Sequence, residues 1–200
     1  SITQFLPNDI QHFLSQHEGI QVNLEEKISS MVIQSVVENA ADIGIYTNVL
    51  DTKGLETFTY RNDQLALITP KDHPLTQRPR WSFNDTLAYD YVGWETGSAI
   101  NQQLTNAAAA ARQNWRIKIR VSSFDALCMM VSSGLGIGIL PETIAQRNAK
   151  SLDIEVRPLS DPWATREFRL CIRSVNSLTT AARMMLDHFV QARNNIDDLR

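Results

Sequence analysis

Two hundred residues allow one large domain or two small ones. A hydrophobic fraction of 43% supplies enough apolar surface for real cores, which excludes a disordered chain. The formal net charge is −3 and the pI near 5.8, so the basic face of a chain that grips nucleic acid by itself is missing. Cys128 and Cys171 are the only cysteines and stand in apolar runs, which predicts buried free thiols in a reducing compartment and not a disulfide or a metal pair. No signal peptide and no apolar run near the length of a membrane span is present. The chain opens on Ser1 and not on Met, as a trimmed piece of a longer protein would.

The predicted elements alternate. Pro7 and Asn8 open a helix with Ile10, Phe13 and Leu14 on one face. Residues 20–24 alternate apolar and polar, as a strand does. Ser29 or Ser30 is placed to cap the next helix, with Val32, Val36 and Val37 facing inward. Residues 42–46 form a second β-rich run, and residues 55–60 and 64–69 read as two more strands. This alternation predicts a mostly parallel sheet covered by helices. Residues 69–74, with Pro70 and Pro74, break the pattern and read as a crossover. A short helix at 81–87, a strand at 89–94 and a turn at 95–98 lead into a helix from Ala99 to about Arg112. Its Ala107 to Ala111 run is strongly helix-favouring. Residues 116–121 alternate cleanly, with Ile117, Ile119 and Val121 on one side. Strands at 151–158 and 166–173 flank a loop at Asp161 and Pro162. Ser177 is placed to cap a final helix carrying Ala181, Met184, Met185, Phe189 and Val190.

Residues 121–141 are the most informative stretch. Ser122 and Ser123 suit a helix start, and Asp125 sits in the first turn, where the dipole favours an acid. Ala126, Leu127, Met130 and Val131 share one face. Gly134 stops the helix. Residues 137–140 are apolar and β-branched, like a strand covered on both sides, and Pro141 suits the first position of the next helix. The three glycines are not a dinucleotide fingerprint. That motif follows a strand and precedes a helix, whereas here helix, glycines and strand come in the opposite order. They read as a tight connection that tolerates left-handed backbone.

Signatures of catalysis fail one by one: no G-x-S-x-G elbow, no H-E-x-x-H and no C-x-x-C occurs. His12 and His17 are five residues apart, off the spacing of one helix face. His73 reads as a turn residue before Pro74, and His188 as a surface or interface residue. Asp42 is expected to make a structural hydrogen bond. Binding is better supported. Ligands of open α/β sheets sit beyond the carboxyl ends of the strands. Three strand-to-helix turns there carry small hydroxyl residues: Ser1, Ile2 and Thr3; Thr96, Gly97 and Ser98; Ser122 and Ser123. Helix-start N–H groups with hydroxyl donors suit a carboxylate or phosphate.

The ordered set of motifs resembles the effector-binding domain of LysR-type transcriptional regulators. Ser123-Phe124-Asp125, then Met130-Val131-Ser132-Ser133-Gly134-Leu135-Gly136-Ile137, then Leu140-Pro141 carry the resemblance. Phe5-Leu6-Pro7 with Phe13, His17 and Ile20, the segment Asn39-Ala40-Ala41-Asp42-Ile43-Gly44-Ile45, and Lys71-Asp72-His73-Pro74-Leu75 agree with it. Departures are Asn39 where Gly is usual and Glu18 where Pro is common. The resemblance implies an α/β fold of two Rossmann-like subdomains joined by two crossover strands, similar to type 2 periplasmic binding proteins. The subdomains would be residues 1–69 with 174–200, and residues 70–173. It implies a cytoplasmic regulator that senses a small molecule, such as a carboxylate, in the inter-subdomain cleft and is neither an enzyme nor a cofactor or metal protein. The effector-binding residues implied are Ser1, Ile2, Thr3, Thr69, Pro70, Thr96, Gly97, Ser98, Ser123 and Phe124. Ile28, apolar where the family can place a polar contact, points to an effector with an apolar portion. The resemblance also implies a homodimer or homotetramer, pairing the helix at 28–37 with the strand near 121–123 or at 116–121. DNA would be bound only through a preceding winged helix-turn-helix domain, absent here along with this domain's first strand. A free solute-binding protein and an enzyme on a similar fold are the rival readings.

Overall fold

A computed structural model describes residues 5–47, 52 and 54–197, with side chains as far as residue 192. Ser1, Ile2 and Thr3 lie outside the described residues. The chain forms two compact units, residues 1–62 with 166–200, and residues 63–165.

In the first unit, helix α1 (Leu6–Gln16) carries Pro7 in its first turn and buries Leu6 and Phe13. Helix α2 (Ser29–Val37) buries Ile33 and Val36, whereas Val37 is 37% exposed, because position 37 has turned off the stripe that 33 and 36 define. Ile28 occupies the N-cap without a side-chain cap. The Ser29 hydroxyl instead accepts the Thr47 amide at 3.2 Å, so the expected serine cap is used to tie α2 to strand β1 (Gly44–Thr47). Asn39, just past the helix, has φ 61°. This is the left-handed position that Gly fills most easily and Asn tolerates. Residues 20–28 carry no ladder; the alternation at 20–24 specifies an extended backbone, but a strand also needs an edge to pair with.

Strand β1 pairs antiparallel with β7 (Thr165–Ile172), and β7 neighbours β2 (Glu56–Pro70). The two strands expected at 55–60 and 64–69 are one 15-residue strand. Both breaks between the units fall inside β2 and β7, at 62/63 and 165/166. A strand that continues from one unit into the other needs no turn residue there, so the sequence carries no mark of the boundary. The last helix, α7 (Thr180–Asp197), is capped by Thr179, whose hydroxyl accepts the Ala182 amide at 3.2 Å. Ser177 lies in the preceding 3-10 turn. Leu6, Tyr60, Phe168, Leu170, Ile172, Leu186 and Phe189 form one apolar cluster, and Ile33, Val36, Tyr46 and Cys171 another.

The second unit contains a short helix α3 (Phe83–Thr86), strand β3 (Asp90–Trp94), helix α4 (Ala99–Ala110), strand β4 (Arg116–Val121), helix α5 (Phe124–Ser132), strand β5 (Gly138–Pro141), helix α6 (Glu142–Asn148) and strand β6 (Ile154–Pro158). β3 pairs parallel with β4, and an isolated parallel bridge joins Tyr91 to Ile137 at the start of β5. β2 runs antiparallel between β5 and β6. The sheet is therefore mixed, not mostly parallel: β2, entering from the other unit, runs against its neighbours. Leu65, Leu67, Tyr91, Leu127, Val131, Ile139 and Leu140 anchor its core. Gly136 is fixed by close approach, since a Cβ there would lie 2.6 Å from the Asp90 carbonyl oxygen.

Candidate functional site

The parallel strands β3 and β4 end side by side, and both feed hydroxyl-capped helices. Glu95 N donates to Val121 O at 3.1 Å, which aligns the two strand ends. The Ser98 hydroxyl accepts the Asn101 amide at 3.1 Å and so caps α4. The Ser123 hydroxyl accepts the Ala126 amide at 3.2 Å and caps α5. Gly97 has φ +96°, and nothing lies within 4 Å of where a Cβ would stand; it makes the turn and leaves open space over it. Thr96 and Gly97 are exposed and Ser98 is half-buried. Phe124 packs edge-on against Trp94, with ring centroids 5.0 Å apart. The Trp94 indole in turn donates to Ile139 O at 2.8 Å. These contacts bring Thr96, Gly97, Ser98, Ser123 and Phe124 to one end of the second unit.

Arg120 belongs with them and sequence reasoning missed it. Its Nη1 donates to Trp94 O at 2.8 Å and to Asn101 Oδ1 at 3.2 Å. A guanidinium is thus clamped between the end of β3 and the first turn of α4. Its only sequence signal is the alternation of Arg116, Lys118 and Arg120, which reads equally as the charged face of an edge strand. At the same end of the sheet, a cavity of about 300 Å³ opens beside the start of α6, lined among others by Gln64, Arg80, Glu142, Asp161 and Thr165. Gln64 Oε1 accepts the Thr165 hydroxyl at 2.7 Å, and Asp161 Oδ2 accepts the Phe83 amide at 2.7 Å. The wall is polar, with both charge signs.

Thr69 and Pro70 are elsewhere. In the antiparallel register Leu65 faces Pro141 and Ile68 faces Gly138, so the end of β2 lies at the beginning of β5, opposite the turns just described. The Thr69 side chain is buried and donates to Pro70 O at 3.0 Å. Ile28, in the first unit, is 59% exposed. Asp42 is exposed, and its side chain has no hydrogen bond among the described residues. His73 accepts the Leu75 amide on Nδ1 at 3.2 Å, as a turn residue does. His12 and His188 stack at 5.4 Å, and His188 Nε2 meets Asp9 O at 3.0 Å. Among the described residues no group of three or more His, Cys, Asp or Glu gathers as a metal site. No helix there is long and apolar enough to cross a membrane. Cys128 and Cys171 are free and buried, and burial pushes both thiols up to about 11.

Known proteins agree with this architecture. The family model described as the LysR substrate binding domain matches residues 1–194. An uncharacterized HTH-type transcriptional regulator of Bacillus subtilis, YwbI, is 24% identical over 184 residues, covering 92% of this chain and 61% of its own. An uncharacterized HTH-type transcriptional regulator of Escherichia coli, YbhD, is 27% identical over 186 residues, covering 91% of this chain and 57% of its own. The chain therefore spans little more than half the length of these relatives. The regulatory domain of CcmR from Synechocystis, solved in complex with 2-PG, shares the fold at a TM-score of 0.83 and 17% identity, over 97% of this chain and 93% of that one. The effector binding domain of QuiR, solved with shikimate, does so at 0.75 and 18%, over 96% and 91%. Ordered motifs, two α/β units and a family match across nearly every residue converge: the chain belongs to the LysR substrate-binding domains, with their periplasmic-binding-protein-like fold.

Proposed function

We propose that this chain is the effector-sensing part of a LysR-type transcriptional regulator and that its two compact units serve as the regulatory subdomains. The effector is a small molecule, with a carboxylate as the favoured recognition group. It binds where α4 and α5 start, using Thr96, Gly97, Ser98, Ser123 and Phe124. The observation that carries this reading is the pairing of two hydroxyl-capped helix starts on adjacent parallel strands, within a chain of this family. N–H groups and dipoles at such ends favour an anion, and Phe124 on Trp94 offers an apolar wall for the rest of the molecule. The neighbours solved with shikimate and 2-PG, an effector-binding and a regulatory domain, support a small-molecule ligand. Thr69 and Pro70, at the other end of the sheet, are left out of this site.

The ligand acts by linkage. It favours one conformation over another by its differential affinity, and can shift the population by no more than that. The shift is read out through an assembly of like chains, a homodimer or homotetramer, in which α2 and β4 are the pairing elements. Exposed Ile28 and Met31, at 59% and 52%, give α2 an apolar outer face. DNA is contacted through the helix-turn-helix part of the longer protein, in the cytoplasm. The free solute-binding reading is dropped, because the family matched is that of regulators.

A thermal-shift screen against carboxylates, aromatic acids and amino acids tests the site. Ligand that binds only the folded chain raises the melting temperature by mass action. Ser98→Ala and Ser123→Ala each cost about 1 kcal/mol as lost caps, so the readout is the ligand-induced increment within each variant. Loss of the increment in both supports the site, and an unchanged increment in both overturns it. Native mass spectrometry showing only monomer across micromolar concentrations would overturn the assembly.

A further inference from the structure

A cavity of about 200 Å³ lies at the end of the second unit's sheet opposite the proposed effector site, where β3 begins and the glycine turn enters β5. Its polar lining comes from His73, Tyr89, Asp90 and Lys118, and the backbone of Gly134 to Gly136 closes one wall. The charges do not cancel. Asp90 is matched by Arg116, whose Nε lies 3.2 Å from its carboxylate. Lys118 has no such partner among the described residues, so its ammonium is the one unneutralised charge on the wall. The other side chains add donors. His73 accepts the Leu75 amide on Nδ1, which leaves the proton on Nε2, and burial holds this imidazole below its ordinary range. The Tyr89 ring packs edge-on to His73 at 4.7 Å, and its hydroxyl has no protein partner among the described residues. Pro70, Leu135 and Ile137 supply apolar surface. The close approach of Gly136 to Asp90 O builds the wall rigidly, because any side chain there would collide.

We propose that this cavity is a second ligand site, for a small monocarboxylate with a short apolar stem. Lys118 and the Tyr89 hydroxyl bind the carboxylate, and Pro70, Leu135 and Ile137 receive the stem. The volume equals about seven waters at about 30 Å³ each, which suits a molecule of about six to eight non-hydrogen atoms. The site uses only groups within the second unit; because Lys118 stands on β4, which the proposed assembly also uses, the titration is made at concentrations where native mass spectrometry shows the monomer.

Butyrate is the probe, with butyramide as its uncharged counterpart. Amide signals of the 200-residue chain are followed by two-dimensional NMR during titration, with Gly134 and Gly136 reporting this cavity and Gly97 the other end of the sheet. Saturable shifts at Gly134 and Gly136 with butyrate are expected, at least tenfold weaker with butyramide. Lys118→Ala should weaken butyrate about tenfold while Lys118→Arg retains it. Both substitutions are at an exposed edge-strand position, so the fold is preserved. Shifts confined to Gly97, no saturation, or equal response to butyrate and butyramide would each overturn the proposal.

Discussion

Single residues set chemistry that can be measured directly. The Cys128 and Cys171 thiols are free, fully buried and pushed up to about 11 by burial. The thiolate is the reactive form, so neither should react with an aromatic disulfide reagent at pH 8 in the native chain. Both should react at once in denaturant. The sign of the linkage follows. Folding favours the protonated thiol, so this contribution is complete below about pH 9, the ordinary thiol range, and lost as pH rises towards 11. Rapid native labelling of either thiol would contradict that burial. His73 works in the opposite sense. Burial lowers its value, so folding favours the neutral ring and stability falls as pH drops below the ordinary value of about 6.5. Melting temperature measured at pH 7.5 and 5.5 should show that fall. His73→Asn, which keeps an acceptor for Leu75, should flatten it. Cysteine burial was legible in the apolar runs around both residues. The clamp role of Arg120 was not, because its acceptors, Trp94 O and Asn101 Oδ1, come from other elements.

Elements are held by contacts that local sequence cannot announce. In the first unit, Asp9 of α1 meets the Arg61 guanidinium of β2 at 2.8 and 2.9 Å and also accepts the Tyr60 hydroxyl. Arg61 reaches Ala192 O in α7 at 3.2 Å. One acid and one base thus bind three elements, with side-chain exposures of only 9% for Arg61 and 13% for Asp9. The tyrosine is pushed up, first by burial and then by the Asp9 carboxylate. Removing one partner of a buried pair strands the other charge. Asp9→Asn should therefore destabilise the chain by about 3 kcal/mol, within the range seen for broken buried pairs. Denaturant unfolding of Asp9→Asn, Arg61→Met and the double variant measures the coupling. A double variant as unstable as the two losses summed would mean that the pair does not interact. In sequence, Asp9 is an unremarkable acid in the first turn of a helix, and only its α1 position was readable. The strand at 20–24 shows the converse. The alternation there suits a strand, but residues 20–28 carry no ladder, because pairing is a property of two segments.

At the scale of the whole molecule, separate apolar clusters on either side of 62/63 and 165/166 predict that stability is lost unit by unit. Gly136→Ala forces a Cβ to 2.6 Å from a backbone oxygen and should cost about 2 kcal/mol, as overpacking does. Hydrogen exchange should then speed up in β3, β4 and β5 while β1 keeps its protection. Equal acceleration in both units would mean a single cooperative block. The sequence by itself determined the order of helices and strands, the glycine turn, the serine caps of α4 and α5, and the family. These rest on periodicity and turn chemistry, which are written among neighbouring residues, and on the order of motifs along the chain. The tertiary structure alone decided that β2 is one strand shared by both units, running antiparallel to its neighbours in the second. It also decided that Thr69 and Pro70 fall at the end of the sheet away from Ser98 and Ser123, and that Lys118 faces a cavity without a counter-ion among the described residues. Strand direction, register and charge neutralisation depend on which distant segment lies alongside. That choice is made by burying the whole core at once, and no local stretch encodes it.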